Sequence, residues 1–227
     1  MPDPHWSNVD AFFEQHLLHA TPELQSLRDH NAAAGLPQID VSPLQAKLLH
    51  LLARLRGAKR ILEIGTLGGY STVWLAKALP APPEGHLTTL ELNPKHADTA
   101  RQNFAANGVA DRITLRLGPA LDSLHDLLNE CPEPYDFVFI DADKANIPAY
   151  FEHAKALASP NAAIVIDNTI RGGKVAEPDP NDPTITGIRT LVEQLNADPD
   201  VSATAIQTVG SKGYDGFILA LMHKHTL

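Results

Sequence analysis

The chain has little sulfur to cross-link it: one cysteine, Cys131, among 227 residues. A lone thiol forms no internal disulfide, and its place after an amphipathic segment predicts a buried thiol rather than a nucleophile. A reducing, cytoplasmic setting is expected. Long apolar runs are also missing. No segment approaches the ~18 uninterrupted apolar residues of a membrane span, and the first residues, Met1 to Ser7, have no basic lead running into an apolar stretch. Neither secretion nor membrane insertion is expected. Positive charge is scarce, with 18 Lys and Arg against 27 Asp and Glu, a net charge of −9. That balance opposes attraction to nucleic acid or anionic lipid. The chain also lacks a basic aromatic strip and an Asn-Pro-Pro-Tyr-like motif, so nucleic acid is not the expected partner. The 11 histidines are scattered singles such as His5, His16 and His19, without zinc-ligand spacing.

What is present fits one α/β domain spanning residues 1–227, with N-terminal helices over about 1–56 and an α/β core over about 57–227. Helical patterns come first, at about 8–19, 22–35 and 42–56, the last capped by Ser42-Pro43. After Gly57 short apolar runs alternate with helical stretches. Strands are predicted at about 60–65, 87–92, 113–118, 136–141 and 163–167, with helices at about 71–79, 94–107, 119–130, 147–158 and 184–197. The alternation implies right-handed crossovers and a parallel sheet covered on both faces. Two further strands, Val201–Val209 and Gly216–Met222, are separated by a link too short for a parallel crossover. The last strand of a seven-stranded, Rossmann-like sheet should therefore run antiparallel. The proline-rich acidic stretch Glu177–Pro183 is expected to border a substrate entrance.

The first strand runs through Glu63 to Gly65 and on to Gly68, Gly69 and Ser71. Glycines at such a turn allow close approach of a nucleotide-like ligand. The spacing is neither the Gly-x-Gly-x-x-Gly of dinucleotide folds nor a phosphate-binding loop with its lysine. Glu91 ends the second strand, where a carboxylate can accept both hydroxyls of a ribose. Glu63 interrupts an apolar run and needs a partner, such as a cofactor ammonium group. A nicotinamide-dependent oxidoreductase would want a Tyr-x-x-x-Lys pair, but Tyr150 and Lys155 are five apart. A non-enzymatic nucleotide-binding module would need none of the residues considered next.

Two runs, Phe139-Ile-Asp-Ala-Asp-Lys144 and Ile164-Val-Ile-Asp-Asn168, each pass from an apolar strand into oxygen-bearing side chains. Asp141, Asp167 and Asn168 could supply two carboxylates and an amide to a hard divalent cation. Magnesium is the first choice, with manganese or calcium open. The alternative for Asp167 and Asn168 is a turn pair ending a strand. For Lys144 it is an ion pair with Asp141 or Asp143, and for Asp143 the reading is a helix N-cap or an orienting group, the cap preferred.

Together, Leu62-Glu-Ile-Gly-Thr66, Phe139 to Lys144 and Ile166-Asp-Asn168 resemble the class I S-adenosylmethionine methyltransferases. The chain is most similar to the small metal-dependent O-methyltransferases of the catechol and caffeoyl-coenzyme A type, over about residues 38–223. That resemblance implies cofactor contacts at Val41, Glu63, Gly65, Ser71, Glu91, Pro119, Ala120 and Asp141. It implies a divalent cation on Asp141, Asp167 and Asn168, with Lys144 as the catalytic lysine. It further implies a homodimer and a small aromatic vicinal-diol substrate. Two departures stand out: Ala46 where many relatives have glycine, and Asn161-Ala162 where a glycine pair is usual. The implied chemistry is sound in itself. A phenol, of pKa ~10, is a poor nucleophile at neutral pH, and a divalent cation stabilises its ionised form while orienting it. Lys144 beside it could accept the phenolic proton. Tyr70, Arg171 and Trp6 are candidate pocket or acceptor contacts, with plain packing or solvation as the alternative.

Overall fold

The computed structural model describes residues 3–18, 22–130 and 133–223. Cys131 and His19 lie outside the described residues, so the expectation of a buried thiol has no counterpart here. Three helices lead: α1 (Pro4–Leu17), α2 (Pro22–Ala33) and α3 (Pro43–Arg56). The core then runs β1 (Arg60–Ile64), α4 (Tyr70–Ala76), β2 (His86–Glu91), α5 (Pro94–Ala106), β3 (Ile113–Leu117), α6 (Ala120–Glu130) and β4 (Tyr135–Ile140). It continues through α7 (Ile147–Leu157), β5 (Ala158–Asp167), α8 (Pro183–Ala197), β6 (Val201–Gly210) and β7 (Gly213–Met222).

The seven strands lie in the order β3-β2-β1-β4-β5-β7-β6. Pairings from β3 through β5 are parallel, and β7 is antiparallel to both of its neighbours. Alternation along the strands decides how the sheet is covered, because successive side chains point to opposite faces. Ile61, Phe137, Phe139 and Val165 pack with Leu49 of α3, Val73 of α4 and Phe104 of α5. Their neighbours Leu62, Val138, Ile140 and Ile164 pack with Leu124 of α6, Phe151 of α7 and Leu191 of α8. Each such side chain, fully buried, contributes about 1.5–3 kcal/mol.

Local chemistry sets the element ends. Ser42 accepts from the Gln45 amide at 3.2 Å to start α3, and Gly57 ends it at φ 67°. Asn93 starts α5 in the same way, ahead of Pro94. Four boundaries differ from expectation by three residues or more; one is the end of α4, at Ala76 rather than about 79. Helix α1 starts at Pro4 rather than about residue 8, because the Asp3 carboxylate caps the His5 amide at 2.8 Å. Strand β5 starts at Ala158 rather than about 163, across a pairing irregularity opposite Tyr135 and Phe137. Asn161 takes φ 61° there, a left-handed conformation that asparagine tolerates in place of glycine. Strand β7 starts at Gly213, leaving only Ser211-Lys212 as the turn, because Tyr214 and Asp215 continue the pairing with Val209 and Thr208. Among the described residues, no helix is long and apolar enough to cross a membrane.

Candidate functional site

Strand order reverses between β1 and β4, and in such sheets the crevice beyond the carboxyl ends of the two strands is the binding position. Gly65 follows β1 and Asp141 follows β4. The Asp141 amide donates to the Ile64 carbonyl at 2.8 Å. Gly65 has φ 100°, and a Cβ there would lie 2.0 Å from the Asp141 carbonyl oxygen. Only glycine fits both restraints.

A cavity of 780 Å³ opens over this junction. Gly65, Ser71 and Glu91 line it from the β1 and β2 ends, and Pro119 and Ala120 from the start of α6. Asp141, Lys144 and Asn168 line it from the β4 and β5 ends, and Val41 from the segment before α3. Glu91 Oε2 accepts from the Leu67 amide and Oε1 from the Asn93 amide, each at 2.8 Å. His96 Nδ1 lies 3.4 Å from Oε1. The carboxylate is thereby aimed, with lone pairs left for a ligand.

Glu63 is not on this surface. It is 0% exposed, and hydroxyls of Ser71, Thr72 and Thr89 donate to it at 2.6, 2.5 and 2.7 Å. Burial pushes its carboxyl up to about 7, against the pull of the three hydroxyls, and the Asp141 charge adds to the rise. The partner that its position demanded is this trio of hydroxyls, one of which, Ser71, also faces the cavity.

A second cavity of 330 Å³ shares Ile39, Asp40, Val41 and Asn168 with the first. Asp167 lines this one, beside Gln45 of α3 and the β6–β7 hairpin. Burial, reinforced by the nearby Asp141 charge, pushes the Asp167 carboxyl up to about 7, while Lys144 pulls it down. Asn168 takes φ 54° and its amide donates to Asp167 Oδ1 at 2.8 Å. Lys144 Nζ donates to Asp141 Oδ1 at 3.1 Å, so the ion pair that stood as its alternative reading is present. The turn carrying Lys144 is pressed from behind by α8, where a Cβ on Gly187 would sit 2.2 Å from the Lys144 carbonyl oxygen.

Some expectations are corrected. Asp143 precedes a short helical turn, Lys144–Asn146, but caps no amide. Its carboxylate accepts instead from Asn146 Nδ2 at 2.7 Å and from the Tyr150 hydroxyl. No residue of Glu177–Pro183 lines either cavity; Asp182 there caps α8. Trp6 and Tyr70 line neither, whereas Arg171 lines the larger. Tyr70 is buried beneath the Arg28 guanidinium, 5.7 Å from its ring centre. Lys155 pairs with Asp198 at 2.5 Å and Tyr150 with Asp143, so no Tyr–Lys couple of the oxidoreductase kind forms.

Residues 14–222 match the family model described as O-methyltransferase. The chain belongs to the O-methyltransferase family. It is an enzyme of that class, and the oxidoreductase and non-enzymatic readings fall away. A catechol O-methyltransferase of Mycobacterium tuberculosis is 50% identical over 220 residues, covering 96% of this chain and 97% of that one. The Bacillus cereus O-methyltransferase, solved in complex with SAH, is 51% identical, covers 96% of this chain and 98% of its own, and superposes with a TM-score of 0.93. TomG of Streptomyces achromogenes, an O-methyltransferase of tomaymycin synthesis solved in complex with SAM, is 46% identical with a TM-score of 0.93. That match covers 99% of this chain and 100% of TomG.

In this O-methyltransferase, sequence reasoning missed Asp40, Gln45 and Lys212. Asp40 lines both cavities, is 8% exposed, and accepts from Asn31 Nδ2 at 3.1 Å. A charged residue just before the Ser42-Pro43 cap was the available signal. The donor set for a cation is coherent. Asp141 and Asp167 are close enough for one charge to disfavour the other; Lys144, the Asn168 backbone amide and the Gln45 side chain favour the Asp167 carboxylate, and Lys212 feels both charges. Among the described residues no group of three His, Cys, Asp or Glu assembles; the expected set is two carboxylates with the Asn168 amide as its third oxygen. Two carboxylates and an amide suit a hard divalent cation.

Proposed function

We propose that this enzyme transfers a methyl group from S-adenosylmethionine to one hydroxyl of a catechol-like aromatic acceptor, with a divalent cation held by Asp141, Asp167 and Asn168. Magnesium suits the ligand set best, and manganese or calcium would also fit it. The observation that carries the reading is the meeting of two cavities at one set of groups. Asp141 and Lys144 line the larger cavity, Asp167 the smaller, and Asn168 both.

The larger cavity takes the methyl donor. Glu91 accepts the ribose hydroxyls, Pro119 and Ala120 flank the base, and Gly65, Ser71, Asp141 and the Val41 backbone hold the amino-acid end. Glu63 supports this wall from behind through Ser71. When bound, the donor supplies a methyl group on a sulfonium sulfur, and the cation supplies the charge that stabilises an ionised acceptor oxygen. In its neutral amine form Lys144 would receive the acceptor proton at Nζ and become the ammonium, and its contact with Asp141 keeps Nζ beside the groups that the two cavities share. The aligned placement of acceptor and donor across that boundary supplies much of the rate enhancement.

The names of the relatives support an aromatic diol, and a net charge of −9 supports a small-molecule rather than a nucleic-acid partner. The same reading takes residues 1–227 as one methyltransferase domain, cytoplasmic and homodimeric. Exposed Phe12, Phe13 and Leu17 on α1 and Leu51 and Leu55 on α3 offer apolar surface to a second copy. The test is methyl transfer to three isomeric acceptors. Catechol should be methylated, while resorcinol and hydroquinone, which cannot chelate, should react at least about a hundredfold more slowly. Equal rates on all three would overturn the proposal.

A further inference from the structure

Ile39, Asp40 and Val41 line both cavities and so form a wall between them. The segment has no helix or strand of its own, so side chains from elsewhere set its position. On one side, Asn31 of α2 donates to Asp40 Oδ1 at 3.1 Å and accepts from Asn103 Nδ2 at 2.9 Å. Asn103 also donates to the Gly68 carbonyl, at 2.8 Å, tying the wall to the loop after β1. On the other side is Lys212, in the two-residue turn between β6 and β7. Its Nζ donates to the Asp40 carbonyl at 2.7 Å and to the Gln38 carbonyl at 3.3 Å, across 172 and 174 residues of chain. The adjacent Ser211 amide donates to Asp10 of α1 at 2.7 Å. Turn and wall are thus fastened together over the smaller cavity, which Lys212 itself lines.

We propose that Lys212 is a positioning residue for methyl transfer, its ammonium clasping the Gln38 and Asp40 carbonyls so that the shared wall keeps the shape both substrates need. The inference rests on the reading above, in which the larger cavity takes the methyl donor. An ammonium is suited to the task because it donates to several carbonyls at once, and charge-assisted bonds are the stronger kind. Without it the polar bonds to Asp40 come from the α2 side alone, beside the burial of Val41 in the core, and the Gln38–Asp40 stretch visits other shapes. A ligand's apparent affinity falls in proportion to the competent fraction. Because one wall faces both cavities, both substrates should lose affinity together. A lysine that merely touched the acceptor would affect the acceptor alone.

The test compares full-length wild type, Lys212→Met and Lys212→Arg. Calorimetry reads S-adenosylhomocysteine affinity, steady-state kinetics read KM for catechol, and hydrogen exchange reads residues 36–42. In Lys212→Met, S-adenosylhomocysteine affinity should fall and catechol KM should rise, each about tenfold, with faster exchange over 36–42. Exchange across α3 and β1 should stay at the wild-type rate, which reports an intact fold. Lys212→Arg, which keeps the donors, should restore most of the lost affinity. S-adenosylhomocysteine affinity within about twofold of wild type in Lys212→Met overturns the clasp, as does a change confined to catechol KM. A wild type that binds no S-adenosylhomocysteine overturns the functional reading itself, and the clasp with it.

Discussion

Glu63 offers a quantitative check on how the cavity wall is built. Its carboxyl is fully buried and held at about 7, against 4.5 for an ordinary glutamate. A folded-state pKa raised above the unfolded one means that the native state binds the proton more tightly. The stability this confers is complete below about pH 4.5 and is lost progressively as pH rises through about 7. A rise of about 2.5 units at ~1.4 kcal/mol each is on the order of 3 kcal/mol. For a chain of this size that is roughly 6–12 °C in Tm. The perturbation is Glu63→Gln, which keeps the shape, removes the titration, and leaves the three hydroxyls free to rotate into new hydrogen bonds. Thermal unfolding of both proteins would be followed from pH 4.5 to 8. Asp167 titrates in both, so the difference between the two curves isolates Glu63. The variant should gain on wild type by roughly 6–12 °C across that window. Parallel curves would refute the argument, by showing that the three hydroxyls hold Glu63 ionised at no cost to the fold.

The other expectations concern the site directly. Lys144→Met should lower kcat by about 10²–10⁴, with S-adenosylhomocysteine affinity within about threefold of wild type by calorimetry. Gly65→Ala drives a Cβ to 2.0 Å from the Asp141 carbonyl. Calorimetry should find S-adenosylhomocysteine binding lost in that variant.

Much of the sheet was legible because parallel strands buried on both faces are near-continuous apolar runs, and those at Leu62, Val138 and Ile164 are bounded by turn or cap residues. Proline and cap chemistry placed α3 to within a residue, and helical periodicity placed α5 as closely. The ends of β5 and β7 were not legible: β5 pairs at Ala158 and again only from Ala163, with polar Ser159 and Asn161 between, while Tyr214 and Asp215 pair through the backbone without an apolar pattern. The first turn of α1 rests on the Asp3 cap rather than on an apolar pattern, so periodicity alone does not reveal it. At the site, side chains that follow strand ends came together because topology places strand ends together. Gly65, Glu91, Asp141 and Asn168 are of that kind. Asp40 and Lys212 meet across 172 residues through a backbone carbonyl, a contact that leaves no residue-type signature. The trio of hydroxyls around Glu63 was hidden for a related reason. Ser71 is legible as a cofactor contact but not as a partner of Glu63, and Thr89 is a plain strand residue until the register of β1 with β2 sets it beside Glu63.

The central claim is that oxygen ligands at the β4 and β5 ends hold a cation that methyl transfer requires. Its most direct test is the rate of labelled methyl transfer from S-adenosylmethionine to catechol by purified enzyme, stripped with chelator and then supplied with magnesium. The account predicts that stripping abolishes turnover and magnesium restores it, and that Asp167→Asn is restored far less. Full turnover by the stripped enzyme would contradict it.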